Sequence, residues 1–242
     1  MTDEAKPSSI LRPLVEELAE RRAAARLGGG EAKIEAQHAA EKLTARERIA
    51  LLVDEGTFTE LGIHAGIHHS VRGLEGREAP ADGVITGFGK VNGRLTAIVA
   101  YDFTVMAGAM GMTGEKKVGR IREMALGKRM PLVWLLDSAG ARIQEAVGSL
   151  FADSGYLFRE EVVMSGVIPQ VAALMGPCAA GTAYIPGLAD FVPMVKGRGS
   201  MALRPAPRPR GRRRGGHSGG ARWQQGALPQ VGCWRSRGQR RC

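Results

Sequence analysis

The chain has 242 residues, 44% of them apolar, with 34 Lys+Arg, 24 Asp+Glu and a formal charge of +10. Eleven of the arginines, and no lysine or acid, fall in 204–242, so the preceding body holds 23 bases against 24 acids and is close to neutral. A near-neutral body with ample apolar content argues against disorder and nucleic-acid binding, and no run reaches the ~18 apolar residues of a membrane span.

The N-terminus, MTDEAKPSSILRP, lacks the basic-then-apolar layout of a signal peptide. Cysteine is scarce: Cys178 lies in the body, Cys233 and Cys242 near the end. No disulfide framework follows, and a cytoplasmic location is the default expectation. Leu11, Leu14, Val15 and Leu18 recur at helical spacing, and Gly28-Gly29-Gly30 ends that helix. The pattern predicts a second helix over 31–53, so residues 1–60 read as a helical lead-in. Residues 62–82 read as loop.

From there the pattern alternates strand, loop and helix. GVITGFGKV (Gly83–Val91) and RLTAIVAY (Arg94–Tyr101) flank Asn92-Gly93, a hairpin signal. A Gly- and Met-rich loop, Val105–Met112, precedes a helix near Thr113–Gly127, whose Gly114–Lys117 start reads as exposed. PLVWLL (Pro131–Leu136) reads as a buried strand ending at Asp137. A helix near Asp153–Ser165, a strand at Pro169–Leu174, a Gly/Ala loop and a strand at Asp190–Val195 complete an α/β layout.

Two loops follow buried strands: Asp137-Ser138-Ala139-Gly140-Ala141-Arg142 and Met175–Tyr184 (MGPCAAGTAY). Small residues between a strand and a helix let a ligand approach the backbone, and free N–H groups at a helix start favour an oxyanion. Both loops equally fit tight connections with close packing, and spacing alone does not separate the two readings. Other chemistries are weaker. Ser138 has no G-x-S-x-G elbow. Cys178 in an apolar setting reads as an inert thiol. His64, His68 and His69 lack carboxylate or cysteine partners at ligand spacing, so no metal site is expected.

The last stretch, 204–242, has a composition unlike the body. Its Arg, Gly and Trp content fits a frame-shifted reading of a GC-rich gene better than the alternative, a basic nucleic-acid or membrane-surface arm, and an unpacked, non-native tail is expected there.

Four segments together resemble one family: KLTARERIALLVDEGTF (Lys42–Phe58), DGVITGFGKVNGR (Asp82–Arg94), DSAGARIQE (Asp137–Glu145) and SGVIPQVAALMGPCAAGTAYIPGLADFVPMV (Ser165–Val195). They are similar to the carboxyltransferase β subunit of biotin-dependent acyl-CoA carboxylases, the propionyl-/acetyl-CoA carboxylase group. The resemblance runs from about Leu11 to Leu203. It implies a crotonase-like (ClpP/crotonase) ββα superhelix, with 61–203 as the core of the acyl-CoA-binding N-terminal domain and the biotin-side half absent. It implies transfer of a carboxyl group from carboxybiotin, on a separate carrier domain, to the α-carbon of a short-chain acyl-CoA such as acetyl- or propionyl-CoA. The implied partners are acyl-CoA, a biotin carboxylase/biotin carrier subunit and further β subunits. The enolate oxygen is expected on the backbone N–H groups of Ala180 and Gly181, with Ala139, Gly140, Ala141, Arg142, Gly176 and Pro177 shaping the acyl-CoA pocket. Ala139 and Ala180 stand where the family often has glycine; each keeps its N–H, the oxyanion role survives at negative φ, and a positive φ strains the Cβ. The alternatives are a stand-alone crotonase-type hydratase or decarboxylase, which needs Glu115 or Glu145 as its carboxylate, and a non-catalytic CoA-binding fragment.

Overall fold

The structure is a computed structural model that describes residues 11–67, 71, 73–145 and 155–202. The readings of His68, His69 and the 204–242 tail lie outside the described residues.

The first predicted helix is α1 (Arg12–Arg26), which ends before Gly28 at φ 56° and buries none of its residues. The second is two helices, α2 (Glu31–Ala39) and α3 (Ala45–Leu52). Thr44 forces the break. Its extended backbone (φ −67°, ψ 163°) cannot continue a helix, and a capping box with Glu47 starts the next one.

Six strands form one sheet in sequence order: β1 (Thr59–Leu61), β2 (Val84–Val91), β3 (Arg94–Tyr101), β4 (Leu132–Ser138), β5 (Gln170–Ala179) and β6 (Ser200–Ala202). The first three are antiparallel; β3 to β6 run parallel. The β2–β3 hairpin turns at Asn92 (φ 50°) and Gly93 (φ 78°), both positive as a type I′ turn demands. Helix α4 (Met112–Gly127) then carries the chain across to β4, completing a ββα unit, and α5 (Gly155–Met164) does the same between β4 and β5. A short α6 (Tyr184–Leu188) follows β5.

Both faces of the sheet are covered, which is why its strands read as nearly continuous apolar runs. Val99, Tyr101, Trp134 and Leu174 pack with Val118 and Ile121 of α4 and Leu157 of α5. Their alternating neighbours Ile98, Ala100, Leu135 and Ala173 pack against Ala45 and Ile49 of α3. Among the described residues no helix is long and apolar enough to cross a membrane.

Three expectations need correction. The strand expected to stop at Leu174 runs on to Ala179, so Met175–Ala179 is strand and not loop; the connection is only a 3₁₀ turn, Ala180–Ala183. Asp190–Val195 is not a strand, but touches β5 at two isolated bridges, Phe191 to Val171 and Met194 to Leu174. Pro193 sits between them without an N–H to give a ladder. The start of α4 is not exposed. Gly114 is buried, Glu115 pairs with Arg122 at 2.6 Å, and the Lys117 Nζ donates to the carbonyls of Ala81 and Val84, each at 2.7 Å.

Between α4, α5 and the sheet lies a group of buried polar atoms. The Glu161 carboxylate has no hydrogen-bond partner on either oxygen, and the Tyr101 hydroxyl, Trp134 Nε1 and Gln170 Oε1 are also unpartnered. Burial pushes the Glu161 carboxyl up to about 8; Arg122 opposes this while Glu115 and Glu160 add to it. A raised folded-state value means that the native chain keeps a proton which the unfolded chain releases. This contribution is complete below the ordinary value of 4.5 and is lost as pH rises to about 8. Denaturation midpoints should therefore fall between about pH 5 and pH 8, and Glu161→Gln should flatten that slope. Equal slopes in the two proteins would place the pH dependence elsewhere.

Candidate functional site

Three segments meet at the C-terminal ends of the parallel strands, where open α/β sheets bind ligands. They are the loop after β3 (102–111), the loop after β4 (139–142) and the turn after β5 (180–183). Backbone hydrogen bonds stitch the first two together. Ala139 N donates to Ala107 O at 2.9 Å, Met110 N to Gly140 O at 2.9 Å, and Arg142 N to Met110 O at 2.8 Å. The Ser138 hydroxyl donates to Gly108 O at 2.6 Å and accepts from Gly140 N at 3.1 Å. The third segment presses on the second. Gly140 has φ 104°, and any Cβ there would lie 2.6 Å from the Ala179 carbonyl oxygen. Only glycine fits this position.

Two buried ion clusters hold these loops. At the end of β4, Asp137 is fully buried and accepts from Gln37 Nε2 (3.1 Å), Lys42 Nζ (2.8 Å) and Arg48 Nη2 (2.8 Å), which tie α2, α3 and the turn between them to the sheet. On the other side, Arg142 is 3% exposed and its Nη1 lies 2.6 Å from both Asp82 and Glu145. Those two carboxylates also accept from the opening N–H groups of α4, Asp82 from Gly114 at 2.6 Å and Glu145 from Met112 at 2.7 Å. Acids at a helix N-terminus satisfy orphan donors and complement its dipole. Burial raises the Asp82 carboxyl, while Arg142 and the Gly114 N–H pull it back. Arg142 also donates to Ala109 O at 3.1 Å, so it clamps the first loop as well.

Ala180 and Gly181 open the 3₁₀ turn, so neither N–H has an acceptor within it. Both residues are half-buried. Ala180 has φ 48°, so the strained case applies: the left-handed conformation costs an L-residue roughly 1–2 kcal/mol. The N–H itself is kept.

The residues singled out in the sequence are therefore not all in one place. Gly140 and Ala141 meet Ala180 and Gly181, while Ala139 is tied to Ala107 of the first loop. Arg142 is directly beneath, with its guanidinium committed to Asp82 and Glu145. Gly176 and Pro177 belong to β5, where Gly176 packs directly on the Asp137 carboxylate and the Lys42 ammonium, and Pro177 pairs with Ser200. Cys178 is an internal thiol. Burial pushes it up to about 11, and its Sγ lies 3.1 Å from Thr182 O. Glu115 and Glu145, the carboxylates that a hydratase would need, are held by Arg122 and Arg142. Among the described residues no group of His, Cys, Asp or Glu is placed to hold a metal. Met110 and Asp82 escaped the sequence reading, although DG before a strand and the methionine-rich loop marked both regions.

An open cleft of about 380 Å³, lined by Arg77, Met106, Ala109 and Ala141 among others, adjoins the loops. A larger one, about 510 Å³, is bounded by Arg46, Ile49, Val53 and Phe58. It belongs to α3 and the segment after it, and shares no residue with the converging loops.

The carboxyl transferase domain family matches residues 36–207, and the chain belongs to that family. It is 45% identical over 186 residues to the propionyl-CoA carboxylase beta chain of Roseobacter denitrificans, covering 77% of this chain and 36% of that protein. It is likewise 45% identical over 190 residues to the methylmalonyl-CoA decarboxylase subunit alpha of Veillonella parvula, covering 78% of this chain and 37% of that one. A transcarboxylase 12S crystal structure, a hexamer with hydrolysed methylmalonyl-CoA bound, superposes with a TM-score of 0.77 at 41% identity, over 82% of this chain and 38% of that one. The chain thus spans little more than a third of the length of these relatives. Its fold is the crotonase-like α/β fold expected from the resemblance.

Two substitutions should move stability in opposite directions. Ala180→Gly relieves a left-handed residue and should raise the unfolding free energy by up to ~1 kcal/mol. Gly176→Ala drives a methyl group into the Asp137 cluster and should lower it by ~3 kcal/mol, as when a buried charge loses its partners. Urea unfolding of both variants measures the two shifts; matching signs would contradict the geometry.

Proposed function

We propose that this chain supplies the acyl-CoA side of a biotin-dependent carboxyl transfer, holding a short-chain thioester while its α-carbon carries enolate charge. The observation that carries the reading is the pair of N–H groups at Ala180 and Gly181, heading a turn at the strand ends and set against the Gly140 loop. Preorganised backbone donors stabilise charge where it develops and need no reorganisation as it forms. Among the described residues, the side chains nearest this turn do not compete for the role of base: the Ser138 hydroxyl is bonded to Gly108 O and the Cys178 thiol is buried.

Biotin, delivered on a separate carrier domain, supplies the carboxyl group and the proton acceptor. The contribution of this chain is to bind the thioester, orient its carbonyl and polarise it. An enolate serves carboxylation and decarboxylation alike, and relatives named for each activity match at the same 45% identity. The stand-alone hydratase reading loses ground because both of its carboxylates are engaged. The remaining half of the transfer site, a biotin carboxylase/carrier partner and a β-subunit oligomer belong to the same proposal, supported by the hexamer named for the 12S relative. Scarce cysteine and a single buried thiol in the body favour a cytoplasmic setting.

The test is carbonyl polarisation. Propionyl-CoA labelled with ¹³C at its carbonyl should shift downfield on binding the chain, and Gly181→Pro, which deletes one donor, should reduce that shift. A single hydrogen bond of this kind changes affinity by up to ~10-fold. Cys178→Ser should leave both shift and affinity in place. A bound thioester with no shift in the parent chain would overturn the reading. In the same preparation, free carboxybiotin and propionyl-CoA should give no carboxylated product, because the biotin side is assigned to another part of the full enzyme.

A further inference from the structure

In the turn before β2, Ala81 and Asp82 take left-handed backbone one after the other, with φ 52° and 51°. L-residues avoid that conformation, so a consecutive pair persists only where other contacts hold it. Asp82 is also the fully buried carboxylate that carries Arg142 and the Gly114 N–H, each at 2.6 Å. A turn that relaxed would carry this carboxylate away from both.

Lys117 holds the turn. Its Nζ donates at 2.7 Å to the carbonyls of Ala81 and Val84, one on either side of Asp82. Its stem lies on Gly62, where a Cβ would stand 2.9 Å from the Lys117 Cε. Gly114 and Lys117 are one turn apart on α4, so the helix takes Asp82 by its carboxylate and the turn by its carbonyls. Burial pulls the Lys117 ammonium down from 10.5 to about 8; Glu60 of β1 and Asp82 oppose this, while Arg46 of α3 adds to it. Glu60 is itself paired with Arg46, at 2.8 and 3.0 Å. Charged donors make hydrogen bonds about twice as strong as neutral ones. The hold on the turn therefore weakens as pH rises and the ammonium loses its proton.

We infer that Lys117 is a positioning residue for the proposed transfer: by holding the carbonyls on either side of Asp82 it fixes that carboxylate against Arg142, and Arg142 fixes the loops beside Gly181. The path consists of direct contacts. Arg142 donates from its guanidinium to Ala109 O at 3.1 Å and from its backbone N–H to Met110 O at 2.8 Å. Met110 and Ala141 are the residues within 4 Å of where a Gly181 Cβ would stand. The inference rests on the donor role proposed for Ala180 and Gly181, and Lys117 acts on those donors only through this path.

The experiment follows the ¹³C-carbonyl signal of bound propionyl-CoA and the Lys117 Cε signal together, from about pH 6 to about pH 10. It uses a Glu161→Gln background, because Glu161 also titrates at about 8. The downfield displacement of the carbonyl should shrink as Lys117 loses its proton, with the same midpoint. Lys117→Arg stays charged throughout and should hold the displacement level. Lys117→Met should lower it at every pH and weaken propionyl-CoA by up to ~10-fold relative to CoA. A lysine with a merely structural role would lower the melting temperature of its variants and leave the carbonyl displacement of the folded protein unmoved. Circular dichroism identifies any variant that does not fold, and the parent titration then decides alone. A Lys117 signal that titrates while the carbonyl displacement stays constant overturns the assignment of Lys117 and leaves the donor reading standing; so does an unchanged displacement in folded Lys117→Met. A bound thioester with no displacement at any pH overturns both.

Discussion

The Asp137 carboxylate is the group on which the rest of the arrangement depends. It is fully buried at the end of the central strand β4 and takes Gln37, Lys42 and Arg48 from the helical lead-in. An isolated charge at that depth would cost many kcal/mol, and a partner removed from such a cluster typically costs about 3–5 kcal/mol. The donors cannot reach Asp137 unless α2 and α3 are folded and docked, so this one group couples a lead-in with few buried residues to the sheet. It also sits one residue before the 139–142 loop. The contact that attaches the helices is therefore the one that fixes where the loop begins.

Two glycines exist to let other segments come close to it. Gly176 of β5 lies on the Asp137 carboxylate, and Gly108 lies on the Asp137 backbone carbonyl. Neighbouring segments thus converge on the end of β4 at backbone contact, without side chains to hold them apart. Strained residues gather here too: Met106 (φ 46°), Ala107 (φ 54°), Ala180 (φ 48°), and Ala81 and Asp82 (φ 52° and 51°) at the foot of the Arg142 cluster. Left-handed non-glycine residues persist only where the surroundings over-determine them, and they concentrate at functional sites. Ala107 is held by the Ala139 N–H and Asp82 by Arg142 and the Gly114 N–H.

Local signals carried much of this fold in the sequence and long-range ones did not. The Asn92-Gly93 hairpin, α4 and the start of β4 followed from turn chemistry and periodicity. The split between α2 and α3 was also legible, because Thr44-Ala45-Arg46-Glu47 is a capping box that the apolar periodicity on either side concealed. Two features misled. Gly176-Pro177 looked like a loop, yet in β5 the glycine makes room for Asp137, which lies in another strand. Lys117 looked like a surface charge, yet it satisfies the carbonyls of Ala81, in the strained turn before β2, and of Val84, at the start of β2. In both cases the deciding partner lies more than thirty residues away, and a window of sequence cannot contain it. The site divides in the same way. The small-residue loops were visible; the Asp82–Arg142–Glu145 cluster that positions one of them was not.

Buried charge holds the loops of this site, while the proposed function places the chemistry on backbone N–H groups. The two needs pull against each other if one group must meet both. A charged side chain facing a thioester would bind the neutral ground state and the enolate with its own solvation and rotamer freedom to overcome. Backbone donors at the head of a turn have neither, and their strength toward an oxyanion depends on being unable to move as charge develops. The Asp137 and Arg142 clusters provide that immobility from two sides, one under the helices and one under α4, without placing a charge at Ala180 or Gly181.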